Sequence, residues 1–410
     1  MSRAAVVTGS GVVAPTGIGV DAFWSAAVDG RSALRPSVRF DSDPYGVALV
    51  GEVADFEAAD WVEPRIAVQT DRFTHFALAA ASMALRDAGL DPATVPPFGI
   101  GVMTASYSGG VEFGQREIER LWRDGPTHVG PYQSIAWFYA AGSGQISIGH
   151  GLRGPSGVLV ADEAGGLDVV AAAVDELRRG ALAMLVGGAE APFSPFALCC
   201  QRGHGLLSAS AEPTAAYLPH TDAAAGFVPA EGGAMLVVER EDVARRHGRR
   251  GLAVVAGHGA TFTGTDLVRS AEGLCRAARA ALAEAGARPE DVDVVFLDAL
   301  ADRRGDDAEA RALRELLGVR AGRVPVTAPK TGYGRCYAGA APLDVVAAVL
   351  AIDRGVVPPT PNVDRHRPEL DLVTRRAREV DVRTALVLAR GLTGGNSALV
   401  LRRPEPARQE

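Results

Sequence analysis

Short apolar runs alternate with longer, alanine-rich amphipathic segments along the whole chain. The apolar runs lie at residues 4–9, 98–103, 234–239, 252–257 and 292–297, and their length is typical of buried strands. Segments with a helical spacing of apolar residues separate them. Strands that alternate with long helices predict an α/β fold, in which helices cover parallel or mixed sheets.

Two pairs of similar segments indicate that this pattern occurs twice. The hexapeptide LDVVAA is found at 167–172 and again at 343–348, and ALRDAGLDP at 84–92 is similar to ALAEAGARP at 281–289. In the second pair, a glycine followed by a proline predicts the end of a helix. Because both pairs occur in the same order, we predict a duplicated fold with two like halves.

The two halves are expected to meet after the strand at 234–239, which divides the chain into residues 1–250 and 251–410. An insertion at about residues 107–140 of the first half is rich in aromatic side chains. Five of its residues share one helical stripe: Phe113, Gly114, Ile118, Leu121 and Trp122. The stripe fits either an ordinary core or an interface or pocket segment, because aromatic anchors concentrate at interfaces and pockets.

The composition limits the kinds of partner. Hydrophobic residues make up 47% of the chain and charged residues 22%, which is typical of a soluble globular protein. The net charge of −7 argues against a nucleic-acid partner. The two stretches of 20 residues or more that lack Asp, Glu, Lys and Arg, 92–111 and 125–152, are interrupted by proline, glycine and polar residues rather than apolar throughout, and the first apolar run is too short for a signal peptide. We therefore expect a cytoplasmic protein that does not associate with membranes.

Common cofactor and metal motifs are missing from the sequence. The glycines of TGSGVVAPTGIG at 8–19 are too far apart for a dinucleotide-binding turn, and Pro15 interrupts them. The chain contains neither a P-loop nor a G-x-S-x-G motif. The eight histidines form no H-x-H or H-E-x-x-H pattern, and the four cysteines form no C-x-x-C pair. We expect no metal and no nucleotide cofactor.

One turn has the form that presents a side chain at the start of a helix. ADEAGGLD at 161–168 leads into an Ala/Val-rich helix, and the presented side chain is the carboxylate Glu163. A second unusual position is Lys330, the only lysine among 42 basic residues. It indicates either a site that needs a compact ammonium group or a lysine that survived by chance.

Six segments together are specific for one family. They are VVTGSGVVAPTG (6–17), HGLRGPSG (150–157), VGGAEAP (186–192), GFVPAEGGAMLVVE (226–239), PKTGYGR (329–335) and GLTGGNSALVL (391–401). On these segments the chain resembles the thiolase-fold β-ketoacyl synthases over nearly its whole length. The resemblance implies a thiolase-like α/β fold with duplicated αβαβα layered halves and mixed five-stranded sheets.

The resemblance also implies that the family's catalytic residues are lost. Active synthases use a cysteine and two histidines, and these positions hold Glu163, Leu300 and Arg335 in this sequence. Neither leucine nor arginine serves as a general base, since arginine is always protonated. Whether the chain is itself an enzyme therefore stays open.

Other matched positions support the active site in family members. Lys330 matches a buried lysine, and Gly394 and Gly395 match oxyanion-hole backbone, so a scaffold role is implied for them here. Asp168 and Asp344 are interpreted as acids in the first turns of their helices, where they complement the helix dipole.

Several segments resemble one subgroup in particular, the chain-length factor or β subunit of the ketosynthase heterodimer in bacterial type II polyketide synthases. They are EFGQREIERLWRDGP (112–126), PYQSIAWFYA (131–140), QISIGHGLRGPSG (145–157), EAGGLD (163–168) and PKTGYGR (329–335). The resemblance implies a ketosynthase α subunit as partner. It also implies substrates carried on the phosphopantetheine of an acyl carrier protein, with no further cofactor.

In this subgroup, side chains of an interface helix close the tunnel that holds the growing poly-β-ketone. The matching positions here are Val111, Gly114 and Ile118, and Phe113 lies between them on the same helix. Because relatives carry bulky aromatic residues there, valine and glycine predict a longer tunnel and a longer product.

Three roles remain open for Glu163, where the subgroup usually has glutamine. The carboxylate complements the helix dipole, or assists decarboxylation of malonyl groups, or fills a pocket that has lost its function. The second role corresponds to an autonomous malonyl-carrier-protein decarboxylase. A further alternative is an inert homodimeric scaffold.

Overall fold

The computed structural model describes residues 4–266 and 269–405. The strands are β1 (Ala5–Ala14), β2 (Gly17–Ile18), β3 (Ile100–Ala105), β4 (Ser156–Leu159), β5 (Ala183–Glu190), β6 (Gly232–Arg240), β7 (Ala253–Phe262), β8 (Val294–Phe296), β9 (Pro325–Thr327), β10 (Val356–Val357), β11 (Asp371–Leu372), β12 (Arg378–Glu379), β13 (Thr384–Arg390) and β14 (Gly395–Arg402). Each of the five predicted strands is confirmed, as part of β1, β3, β6, β7 or β8.

Helices separate these strands as the sequence predicts. They are α1 (Val20–Val28), α2 (Pro64–Ala67), α3 (Arg72–Ala88), α4 (Val111–Asp124), α5 (Gln133–Ala136), α6 (Ala141–Gly149), α7 (Gly165–Arg179), α8 (Pro195–Arg202), α9 (Glu241–Arg246), α10 (Ser270–Glu284), α11 (Arg303–Leu317), α12 (Lys330–Tyr333) and α13 (Ala340–Arg354). Helix α3 ends at Gly89, which adopts the left-handed conformation (φ 60°) that favours glycine. Among the described residues, none of the helices is long and apolar enough to cross a bilayer.

The two halves repeat one sheet topology. In the first half the strands lie in the order β1-β6-β5-β3-β4, and in the second in the order β7-β14-β13-β8-β9. Numbered within its own half, each set has the order 1-5-4-2-3, with two antiparallel pairings followed by two parallel ones. The duplicated fold with mixed five-stranded units is therefore confirmed.

The first strands of the two halves pair with each other. Ala5, Val6 and Val7 of β1 lie antiparallel to Val255, Val254 and Ala253 of β7. This pairing joins the two five-stranded units, and with β2 and β11 it makes one continuous twelve-stranded sheet.

Helices cover both outer faces of the sheet and fill the space between the two units. Helix α3 packs on β1, β5 and β6, whereas α10 packs on β7 and β14. Helices α7 and α13, which carry the two LDVVAA copies, contact each other in the central core. Helix α13 is buried from Ala340 to Ile352, and Asp344 is the one charged residue in that stretch.

Close packing of α7 and α13 depends on a glycine at the start of α7. A Cβ atom at Gly166 would lie 2.8 Å from the carbonyl oxygen of Ala338. The small residue lets the two helix N-termini approach each other, which brings the segments before both helices together.

The aromatic insertion forms α4 and α5 and leaves much of its apolar surface uncovered. Trp122 is 82% exposed, and Ile118, Trp137 and Phe138 are about half exposed. On α4, the buried residues are Gly114 and Glu117. The predicted stripe is therefore not part of an ordinary core of this chain, which favours the interpretation as an interface segment.

Candidate functional site

The turn before α7 presents Glu163 in the interior of the protein. Asp162 adopts a left-handed conformation (φ 57°), and its Oδ1 accepts a hydrogen bond from the Glu163 N–H at 2.9 Å. Its Oδ2 accepts bonds from the N–H and hydroxyl of Thr393, at 2.7 and 2.9 Å. Glu163 itself is 2% exposed. The turn is thus a rigid, strained element of the kind that holds functional side chains in other proteins.

Glu163 and Arg335, two of the three positions at which the resemblance implies lost catalytic residues, bind each other directly. Arg335 donates from Nε to Oε1 of Glu163 at 2.9 Å and from Nη2 to Oε2 at 2.5 Å. Both side chains are buried. This paired geometry fixes the carboxylate on both oxygens, and arginine is well suited to it because its guanidinium forms a planar fork.

Leu300, the third position that the resemblance implies, packs beside this ion pair. It belongs to a buried cluster with Tyr217, Phe227 and Tyr337, and the Arg335 guanidinium lies 5.3 Å from the centre of the Phe227 ring. The cavity lined by Leu300 and Arg335 has a volume of about 10 Å³. That is barely the space of one water molecule, so there is no room for a further group beside Leu300 and Arg335 in this cavity.

Asp298 binds two of the buried arginines. The sequence analysis did not identify it as a functional residue. Its Oδ1 accepts a bond from Arg335 Nη2 at 2.9 Å, and its Oδ2 accepts one from Arg390 Nε at 2.9 Å. Burial raises the pKa of Asp298, but the charges of Arg335, Arg390 and Lys330 outweigh burial and hold it well below its usual range. Asp298 therefore stays charged and balances both arginines.

Two acids of α11 continue this network. Glu309 accepts bonds from the N–H groups of Asp298 (2.8 Å) and Ala299 (3.1 Å), and Asp306 accepts one from the N–H of Ala301 at 3.0 Å. Ala299 and Ala301 both have positive φ values, 54° and 56°. The acids thus stabilise the strained loop that carries Leu300.

A signal for these acids was present in the sequence. Asp306 and Glu309 are spaced at helical intervals with Leu313 and Leu316, so they lie on the apolar face of an amphipathic helix. Charged residues on such a face need buried partners.

One group of side chains has the composition of a metal site. Ligand atoms of His220, Asp306 and Glu309 lie within 4.8 Å of one another, and they are the one such group in residues 4–266 and 269–405. However, Arg390 Nη2 lies 3.6 Å from Oε2 of Glu309. A guanidinium already balances the acids there, so the donors do not fit a second cation.

Lys330 and Asp344 form a second buried ion pair. The Lys330 Nζ lies 2.6 Å from Oδ2 of Asp344 and donates to the carbonyl oxygen of Asp298 at 3.2 Å. Burial raises the pKa of Asp344 to about 6, although the Lys330 charge lowers it. The predicted first-turn role of Asp344 is wrong, because α13 begins at Ala340 and Asp344 lies one turn further on.

Asp168 does lie in the first turn of its helix, but it also has a specific partner. Its Oδ1 lies 2.9 Å from Nε2 of His258 on β7, and the Ser397 hydroxyl lies 3.0 Å from the same nitrogen. Asp168 therefore links α7 to the second half, in addition to complementing the helix dipole.

Gly394 and Gly395, for which the resemblance implies a match to oxyanion-hole backbone, lie next to the Glu163 turn. A Cβ atom at Gly395 would lie 3.5 Å from Cβ of Ala164, and Gly394 has a φ of 111°. The N–H of Gly394 donates to the carbonyl oxygen of Gly391 at 3.1 Å. That N–H is thus already engaged in a turn.

The expected tunnel-gate positions lie on α4, which packs against α5 and α8. Val111 and Phe113 are partly buried, and Ile118 faces outward. A Cβ atom at Gly114 would lie 3.4 Å from Cδ1 of Trp137. A large side chain at 114 would thus meet the insertion itself, so Val111 is the better position for a substitution.

The titration of Glu163 is expected to make the free energy of unfolding depend on pH. Burial raises the pKa of Glu163 to about 7, although Arg335 lowers it. Because this value exceeds that of the unfolded chain, Glu163 contributes stability at acidic pH that is lost as the pH rises through 7. Glu163→Gln removes this titration. We therefore expect the difference in free energy of unfolding between this variant and wild type to change in favour of the variant as the pH rises. The change between pH 5 and pH 8 should be up to about 3 kcal/mol.

Urea unfolding of both proteins across this pH range measures the difference. The exposed Glu57→Gln serves as the control, because its side chain lies at the surface and it should track wild type at every pH. A constant difference between Glu163→Gln and wild type would contradict the prediction.

Sequence models of one family match most of the chain. The β-ketoacyl synthase N-terminal domain matches residues 2–244, and the C-terminal domain matches residues 252–364. A Streptomyces coelicolor protein named as polyketide β-ketoacyl synthase 2 is 57% identical over 98% of this chain and 95% of its own length. The tetracenomycin polyketide synthase ketoacyl synthase beta subunit of Streptomyces glaucescens is 51% identical, over 97% of this chain and 98% of its own.

Solved structures show the same fold over the full chain. The ishigamide ketosynthase/chain length factor superimposes with a TM-score of 0.90 at 27% identity, covering 99% of this chain and 100% of that one. The AntDE:AntF complex, a type II PKS acyl-carrier protein with its ketosynthase bound to the hexaketide, gives 0.89 at 27% identity, covering 98% and 100%. This chain belongs to the β-ketoacyl synthase family.

Proposed function

We propose that this chain is the chain-length-determining, non-nucleophilic subunit of a type II polyketide ketosynthase. It acts in a heterodimer with a ketosynthase subunit that carries the cysteine and both histidines. The observation that carries the proposal is the Glu163–Arg335–Asp298 cluster, which fills the nucleophile site with paired charges. Relatives named as synthase 2 and as a beta subunit support the same role.

The cluster leaves no group for the condensation reaction in this chain. The family's thiolate accepts the acyl chain, and its histidines promote decarboxylation of the extender unit. Here the carboxylate of Glu163 is held by Arg335 on both oxygens, and Leu300 has no proton to give or take. The chemical steps therefore belong to the partner subunit.

The autonomous decarboxylase is not favoured by this geometry. A malonyl carboxylate would have to enter a cavity of about 10 Å³ and displace an arginine that is already neutralised by Glu163 and Asp298. Glu163→Gln consequently leaves product formation by the complex intact. Loss of priming from malonyl carrier protein in this variant would support the decarboxylase instead.

The surface of the insertion supports a large partner rather than a small ligand. Exposed aromatic and aliphatic side chains are found on α4, on and directly after α5, and on α8: Ile118, Trp122, Ile135, Trp137, Phe138 and Phe196. A patch of this kind on one subunit is typical of an obligate interface. Substrates reach the complex on an acyl carrier protein, as in the related AntDE:AntF complex.

Val111→Phe tests the role in chain length. Val111 opens α4 and is partly exposed, so a phenyl ring there extends toward the expected tunnel and shortens it. We expect the complex of Val111→Phe with its ketosynthase partner to make shorter polyketides than wild type. Mass spectrometry of the products from malonyl carrier protein measures the lengths.

The matched control is Val319→Phe, because Val319 is 91% exposed at the end of α11 and far along the chain from the insertion. It should leave product lengths unchanged, and the chain expressed without its partner should make no product. Wild-type product lengths from a stable Val111→Phe complex would overturn the proposal.

A further inference from the structure

One buried carboxylate caps two helices at once. Asp71 is the N-cap residue of α3, and its Oδ1 accepts a hydrogen bond from the N–H of Phe73 at 3.3 Å. Its Oδ2 accepts a bond from the N–H of Phe113 in the first turn of α4, at 2.7 Å. Asp71 is 1% exposed, so water cannot replace either bond.

Helix α4 depends on this cap because it has none of its own. Its N-cap residue is Gly110, which offers no side chain. A Cβ atom at Gly110 would lie 1.9 Å from the carbonyl oxygen of Ala136, so no capping residue fits there. The first N–H groups of a helix need acceptors from outside it, and Asp71 supplies one from 42 residues away.

Charged side chains tie the same two helix ends together. Arg72 donates from Nη2 to Oε1 of Glu231 at 2.9 Å, and Arg39 donates from Nη1 to Oε2 of Glu231 at 3.1 Å. The other Nη of Arg39 binds the carboxylate of Glu112 on α4. The start of α4 is therefore held to the start of α3 by Asp71 and by this chain of ion pairs.

The held segment is the one that carries the expected gate. Val111 and Gly114 lie in the first turn of α4, on either side of the Phe113 N–H that Asp71 binds. We infer that Asp71 is a positioning residue for chain length, which acts through the placement of Val111 and Gly114. This inference rests on the proposed function.

The expected effect follows from the chemistry of the cap. Asparagine has one acceptor oxygen where the carboxylate has two, so Asp71→Asn keeps one of the two N–H bonds and Asp71→Ala keeps neither. Loss of a cap shifts the equilibrium between a docked and a displaced α4 by about 2- to 30-fold. We expect a mixture of product lengths from Asp71→Asn and a broader mixture from Asp71→Ala.

The test uses complexes with the ketosynthase partner and compares product-length distributions with total yield. Because burial raises the pKa of Asp71 to about 7 despite its two N–H donors, the assay is run at about pH 8, where the carboxylate is charged. Leu85→Ala is the control for stability, since Leu85 is a buried residue at the other end of α3. It should lower stability and yield but preserve the product lengths.

Each outcome separates the inference from the function on which it rests. A changed distribution in Asp71→Asn, with wild-type lengths from Leu85→Ala, supports the inference. Reduced yield at wild-type lengths, while Val111→Phe still shortens the product, overturns it and leaves the proposed function standing. A changed distribution of product lengths in Leu85→Ala would also overturn the inference. Wild-type lengths from Val111→Phe overturn the proposed function itself. If Asp71→Ala does not fold, the product lengths from Asp71→Asn alone decide whether the inference holds.

Discussion

Arg335→Met is expected to lower the free energy of unfolding of this subunit by about 3–5 kcal/mol, which is the usual cost of breaking a buried ion pair from one side. The methionine fills most of the volume but leaves both oxygens of Glu163 without their donors. Asp298 retains Arg390, so the main loss is at Glu163. The cost should be smaller at acidic pH, because the orphaned carboxyl can take up a proton.

The double variant Glu163→Leu/Arg335→Met is the control for this result. Replacing both partners of a buried pair by apolar groups is often neutral, so most of the lost stability should return. Thermal unfolding of the purified complex measures both variants. If the double variant is as unstable as Arg335→Met, the ion pair is not the cause of the loss.

Lys330→Met is expected to have an effect of similar size, about 3–5 kcal/mol. It removes the ammonium from Asp344, which lies in the buried part of helix α13, about one turn from its start. The remaining partner of Asp344 is the Tyr333 hydroxyl, at 3.4 Å. The carboxyl must then stay neutral or carry an unpaired charge between the two halves, so the midpoint of thermal unfolding should fall steeply.

Two further variants separate charge from size at this site. Lys330→Met/Asp344→Leu removes both charges and should recover much of the loss. Lys330→Arg keeps the charge but forces a larger group into a filled core, so it should be less stable than wild type. Full stability of Lys330→Met alone would show that the ammonium is dispensable, and would leave chance as the explanation for the only lysine.

The sequence predicts the fold well because the fold repeats itself. The two LDVVAA copies mark α7 and α13, and the apolar runs mark strands that occupy equivalent places in each half. Sequence reasoning cannot give the partner of Glu163. Arg335 lies 172 residues away, and the two meet only because α7 and α13 pack side by side.

The error at Asp344 has a local cause. Its hexapeptide is identical to the one around Asp168, but α13 starts earlier relative to that hexapeptide than α7 does. The same hexapeptide sequence thus places Asp168 in the first turn of its helix and Asp344 beyond the first turn of its own. The capping role of Asp71 on α4 leaves no trace in the sequence either, because it depends on how two helix ends meet.

The Glu163–Arg335 pair also constrains how this lineage can evolve. Since the two side chains are buried against each other, a change at Arg335 alone leaves Glu163 without its donors, whereas glutamine at position 163 still offers the guanidinium an acceptor. A single mutation of Glu163 to cysteine would create a thiol beside Arg335, and under the proposed function Leu300 stands where the reaction needs a base. Under the same proposal, a catalytic site would need changes at Glu163, Leu300 and Arg335 together. The salt bridge therefore favours the retention of Arg335, and with it the dependence on a partner subunit that the proposed function assigns to this chain.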